Sequence, residues 1–136
     1  MGKVKYTEEQ QAVIDARKSN LLVSAAAGSG KTAVLTQRIV SLINDPDDPA
    51  DIDSMLIVTF TKAAAAEMRE RIGNAIAAEM EKDPDNMHLA KQETLLHNAQ
   101  ITTIDSFCLF VVKNHFSAID LDPGFRAMDE AERTLL

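Results

Sequence analysis

Hydrophobic positions along the chain fall into short blocks whose spacing alternates between strand-like runs and helix-like faces. Thr7 to Arg17 reads as a short opening helix, and Asn20 to Ala25 (NLLVSA) as a buried strand. Lys31 to Asn44 places Val34, Leu35, Ile39, Leu42 and Ile43 on one helical face. The proline-bearing run DPDDPADID, residues 45–53, breaks that helix into a loop. Met55 to Phe60 (MLIVTF) reads as a second buried strand. Lys62 to about Met80 is an alanine-rich helix ending at a DPDN turn. Met87 to His97 continues the helical excursion, Ile101 to Thr103 is a third strand candidate, and Asp105 to Phe116 a further helix. Asp122-Pro123-Gly124 marks a turn. Strands alternating with helices predict an α/β fold: a parallel sheet with flanking helices and a helical insertion. There is no internal repeat.

Composition changes this picture little. The 136 residues are about one domain's worth, and no apolar run approaches a membrane span. MGKVKYTEEQ carries no apolar core of a secretory signal, and Tyr6 stands where a myristoylation pattern wants Ser or Thr. The single cysteine, Cys108, excludes an internal disulfide and is expected as a small core residue of a cytoplasmic protein. His88, His97 and His115 show no metal-ligand spacing. The net charge of −7 speaks weakly against a generic nucleic-acid binder. The acidic residues, however, gather in 45–53, 81–86 and 129–132, so a groove elsewhere is free to be neutral or basic.

The chemistry concentrates in AAAGSGKT, residues 25–32, between the NLLVSA strand and the helix from Lys31. Glycine is needed there because backbone amides must wrap phosphate oxygens at close range. Ala25, Ala26, Ala27, Gly28, Ser29 and Gly30 form the expected cradle for ATP. Lys31 supplies positive charge to the terminal phosphates, and Thr32 offers its hydroxyl to Mg²⁺. The general pattern has glycine where this chain has Ala25. Such a loop names a cofactor and not a task. A P-loop kinase or GTPase and a non-catalytic nucleotide-binding module are the alternatives, although no guanine-type base motif is found.

AAAGSGKTAVLTQRI resembles the first motif of superfamily 1 helicases of the UvrD/Rep/PcrA group. An arginine often follows the threonine in that group; here it is Ala33. YTEEQQAVI, residues 6–14, is similar to the group's Q motif, which implies that Gln10 reads adenine by accepting from N6 and donating to N7. Thr7-Glu8-Glu9-Gln10 equally spells a capping box, and the two roles draw on one side chain. LIVTFTKAAAAEMRERI, residues 56–72, resembles motif Ia. This implies a single-strand grip by Thr59, Phe60, Thr61 and Lys62 at the end of a buried strand. Thr61 as a helix cap and Phe60 as core is the bland alternative, and Glu67 with Arg71 reads as a solvated i,i+4 pair.

AQITTIDSFCLFVV, residues 99–112, resembles motif Ib, with Thr103, Asp105 and Ser106 at a strand-to-helix corner and Phe107 packing beneath. Many relatives carry histidine at the position of Asp105; an acid repels phosphate, and an Asp N-cap is as good a reading. ITTIDSFC, the DPDN-bearing insert and IDLDPGFRAMDEAE together look most like the helicase–nuclease subunits of AddAB-type bacterial recombination complexes. That resemblance implies a RecA-like motor coupling ATP hydrolysis to movement on DNA, in a heterodimer with an AddB-type subunit. It implies residues 1–120 as the N-terminal part of the first motor domain and 121–136 as the start of a helical subdomain. Such proteins need an apolar strand ending in Asp-Glu, arginines from a second domain, and a nuclease. Asp129-Glu130 lacks the preceding strand, and Asp129 with Glu132 fits a helix N-cap box instead. The expectation is an N-terminal segment of a longer enzyme.

Overall fold

In the computed structural model, residues 5–26 and 28–128 are described. Ala27 and the Asp129–Glu132 cap box lie outside them. The chain divides into two compact units, one up to Thr103 and one from Ile104 onward.

The first unit opens with helix α1, Glu8–Asp15, followed by α2, Lys31–Ile43. A 3₁₀ turn at Ile52–Ser54 leads into strand β1, Leu56–Thr59. Helices α3, Lys62–Met80, and α4, Met87–Leu95, then return the chain to β2, Gln100–Thr103. The strands pair in parallel, Leu56 opposite Gln100 through Thr59 opposite Thr103. A parallel pair needs a crossover of a dozen residues or more, which α3 and α4 provide. Local signals set the boundaries. Thr61 caps α3 by accepting from the Ala64 amide at 3.1 Å, and Asn86 caps α4 by accepting from the His88 and Leu89 amides.

The core lies where α2 and α3 meet the sheet: Ile39 and Ile43 from α2, Ile57 from β1, Met68, Ile72 and Ile76 from α3, and Ile101 from β2. Ala65, Met68, Ile72 and Ile76 recur at helical spacing, which turns one face of α3 inward. Gly73 is mid-helix because a Cβ there would stand 3.1 Å from the Leu96 side chain.

Two strand expectations are corrected. Asn20 to Ala25 joins no ladder, and Leu22 is 99% exposed. Among the described residues no strand lies beside it to take its amides and carbonyls, and an apolar run cannot form a sheet without a partner. The Met55–Phe60 strand is shorter, Leu56–Thr59, and buries Ile57 while Leu56 and Val58 are exposed, because α3 packs on one of its faces. In the second unit, helix α5, Ile104–Asn114, buries none of its residues, so Cys108 is exposed rather than core. Asp105 stands inside the first turn of α5 and not before it as an N-cap. No helix among the described residues is long and apolar enough to cross a membrane.

The acidic loop is organised rather than merely solvated. Asp45 takes the Arg17 guanidinium at 2.7 Å and the amides of Asp47 and Asp48 at 3.1 and 3.2 Å. Asp51 accepts from Lys91 Nζ at 2.6 Å and from Gln92 Nε2 at 2.7 Å. The Arg17 hydrogen bond first, then those amides, hold the Asp45 carboxyl below its ordinary value of 3.8. Lys91, then Gln92, do the same for Asp51. A depressed folded-state value contributes stability that is complete above the unfolded value and lost as pH falls through the folded one. Thermal melting followed from about pH 5 to pH 2 is therefore expected to show a falling midpoint, with a shallower fall in Asp45→Asn. An identical acid slope in that variant contradicts the assignment.

Candidate functional site

The glycines of the loop adopt the conformation their chemistry requires. Gly28 and Gly30 have φ of +78° and +81°, a region closed to most side chains. Gly30 is the N-cap residue of α2, so the loop feeds directly into a helix start. A helix N-terminus leaves amides without intrahelical partners and carries positive partial charge, both suited to an anion. The Ser29 amide donates back to the Ala26 carbonyl at 3.3 Å and tightens the turn.

Lys31 folds back over the loop, its Nζ donating to the carbonyls of Ala25 and Ala26, both at 2.7 Å. The ammonium thus lies over the loop, with two backbone carbonyls as its partners. Thr32 is exposed in the first turn of α2. Among the described residues no group of three His, Cys, Asp or Glu is arranged to hold a metal ion.

Gln10 takes the capping role and divides its amide between two partners. Its Oε1 accepts from the Thr7 amide at 2.9 Å, and the Gln10 amide donates to Thr7 Oγ1 at 3.2 Å, completing the capping box. Its Nε2 donates to the Ser29 carbonyl at 3.1 Å. One side chain therefore caps α1 and ties it to the phosphate loop. Gln10, Ser29, Lys31, Leu21, Val23, Val34 and Arg38 contribute to the walls of a cleft of about 520 Å³, polar at the loop and apolar behind it. Sequence reading missed Arg38; a single arginine between Gln37 and Ile39 on α2 carries no local signal of the carbonyls it reaches.

The motif Ia and Ib residues of the first unit meet at one sheet end. Thr59 and Thr103 are Cα partners in the parallel ladder, so both close their strands at the same edge. Ligand sites of parallel α/β sheets lie beyond such carboxyl ends. Thr59 Oγ1 donates to the Thr61 carbonyl at 3.0 Å, Thr61 caps α3, and Lys62 is exposed at its start. Phe60 is 92% exposed, so it is no part of this unit's core. Thr103 is only 7% exposed. Ser106 belongs to α5 in the second unit, where Phe107 is half-buried. Arg71 pairs with Glu67 at 2.6 Å on the solvated face, as spaced.

A glycine-bearing loop thus opens α2, and the helix before it is tethered to that loop through Gln10. Residues 6–136 match the family of the UvrD/REP helicase N-terminal domain, and the chain belongs to that family. Its relatives include an ATP-dependent helicase/nuclease subunit of Lachnoclostridium phytofermentans, 64% identical over all 136 residues, which cover 10% of that protein. The subunit of the same name from Clostridium novyi is 60% identical over 136 residues, 11% of its length. That of Thermoanaerobacter pseudethanolicus is 59% identical over 132 residues, 97% of this chain and 11% of that protein. The chain spans about a tenth of the length of these relatives.

Proposed function

We propose that these residues are the ATP-binding N-terminal segment of an ATP-dependent DNA helicase or translocase. The parent is a helicase–nuclease of the AddA type, acting in double-strand break repair and recombination in the cytoplasm. Residues 1–120 belong to the first RecA-like motor domain, a P-loop NTPase sheet, and 121–136 open the following helical subdomain. The observation that carries the reading is the phosphate loop held by Gln10 to a capped opening helix. Ala25, Ala26, Ala27, Gly28, Ser29 and Gly30 cradle the phosphates, Lys31 neutralises their developing charge, and Thr32 is the protein's hydroxyl for Mg²⁺. Mg²⁺ held through the Thr32 hydroxyl would supply neutralisation of phosphate charge. Thr59, Phe60, Thr61 and Lys62 contact single-stranded DNA, Ser106 is a further contact in the second unit, and an AddB-type subunit completes a heterodimer; Thr103, 7% exposed, supports the sheet end instead of meeting the strand.

Steady-state phosphate release by the intact polypeptide tests this, with ATP or GTP and with or without single-stranded DNA. Stimulation by DNA and preference for ATP are expected. Gln10→Glu keeps the cap acceptor but cannot donate to adenine N7, and it sets a carboxylate against the Ser29 carbonyl. ATP preference should therefore shrink in that variant while α1 survives. Turnover without DNA stimulation favours a kinase- or GTPase-like enzyme instead, and nucleotide binding without turnover favours a non-catalytic module.

A further inference from the structure

Helix α1 is tied to the loop before α2 near its start and to α2 itself at its end. At the first, Gln10 reaches the Ser29 carbonyl. At the other, Arg38, on the third turn of α2, uses a single nitrogen twice: Nη1 donates to the carbonyls of Val13 at 2.6 Å and Ala16 at 2.7 Å. Helix α1 has no basic residue in its own last turn, so its terminal carbonyls would otherwise gather unopposed negative partial charge. Arg17 reinforces the end by donating to the Ile14 and Ala16 carbonyls and to Ser41 of α2. Eight residues are too few to hold a helix in water by propensity alone, so these ties and the buried Ile14 decide where α1 sits. Val13 follows Gln10 by one helical turn, so a shift at the anchored end moves the Gln10 amide with it.

We infer that Arg38 is a positioning residue for base selection: it locks α1 against α2 and thereby holds the Gln10 amide at the mouth of the cleft where the edge of the base is read. The inference rests on the reading of this cleft as an ATP site. Arg38 acts through Gln10, whereas phosphate affinity comes from the loop and Lys31. The two contributions are therefore separable.

The test measures affinities of the intact polypeptide for ATP, GTP and inorganic tripolyphosphate by competition against a fluorescent nucleotide. Arg38→Met keeps the aliphatic stem and removes both donors. Its ATP-over-GTP preference is expected to fall about five- to a hundredfold, while tripolyphosphate binds as in the wild type. Arg38→Lys should keep much of the preference, because one nitrogen makes both bonds. In a Gln10→Ala background, Arg38→Met should change the preference no further. Wild-type preference in Arg38→Met, or an equal loss of all three ligands, overturns the inference. So does a preference that survives Gln10→Ala but not Arg38→Met, since Arg38 would then contact the base itself. A wild-type protein that binds tripolyphosphate without preferring ATP also removes it. One that binds none of the three removes the ATP-site reading as a whole.

Discussion

Lys31→Ala is expected to weaken ATP binding roughly ten- to a hundredfold, the loss of a charge-assisted contact of about 1.5–3 kcal/mol. The ammonium is exposed and supports no core residue; its partners are the loop carbonyls of Ala25 and Ala26. Those bonds are given up when phosphate arrives, so the net effect is the difference between neutral and anionic acceptors at one site. The melting midpoint should barely move, since the hydrophobic cluster around Ile43, Ile57 and Ile72 lies elsewhere. Titration of both versions with a fluorescent ATP analogue decides the matter, and equal affinities defeat the assignment. A second consequence concerns the loop itself. Without Lys31, its bonds to the Ala25 and Ala26 carbonyls are lost, so the loop backbone should exchange its amide hydrogens faster than in the wild type.

What the sequence made legible follows from how local each signal is. Capping and periodicity act over a few residues, and they located α1, α2, α3 and α4 to within two residues at nearly every end. Close backbone approach calls for glycine at 28 and 30, and the structure adds that both have positive φ. Strands depend on neighbours that no local pattern names. NLLVSA has the composition of a buried strand, yet among the described residues it has no ladder partner, and Leu22 faces solvent. The same reasoning explains Cys108: α5 carries the apolar pattern of a packed helix, but burial needs a second surface.

The long-range polar contacts were invisible for a related reason. Gln92 is fully buried, with its Oε1 accepting from the Ile52 amide at 2.8 Å and its Nε2 donating to Asp51 across some forty positions of sequence. A glutamine on a helix between two charged neighbours announces nothing of this kind. Arg69 similarly donates to the carbonyls of Leu96, Ala99 and Ile101, tying α3 to the chain that leads into and through β2. Gln10 is the instructive middle case. Its cap partner was readable at three residues' spacing, whereas its bond to Ser29 needed the fold.

Phe60→Ala is expected to weaken single-stranded DNA binding by the intact polypeptide about five- to a hundredfold, the stacking contribution of a base being roughly 1–3 kcal/mol. The ring stands 92% exposed immediately after β1, beside the sheet end where Thr59 and Thr103 are paired. Removing a ring that packs on nothing within its own unit costs little stability, so the melting midpoint should hold. Phe60→Trp, with a larger π-face, should bind at least as well as the wild type. Lys62→Ala makes a contrasting companion. It removes charge and not stacking, so it should lower affinity evenly across base sequences and reduce the slope of log affinity against log salt by about 0.7–1. Phe60→Ala should leave that slope unchanged. Fluorescence anisotropy with a labelled oligonucleotide at several salt concentrations resolves both effects. If Phe60→Ala instead lowers the melting midpoint and spares DNA affinity, the ring is covered by protein in the intact molecule and belongs to its packing. An unaltered salt slope in Lys62→Ala would show that its ammonium meets no phosphate. The two variants fail independently, so stacking and charge at this sheet end can be assigned one at a time.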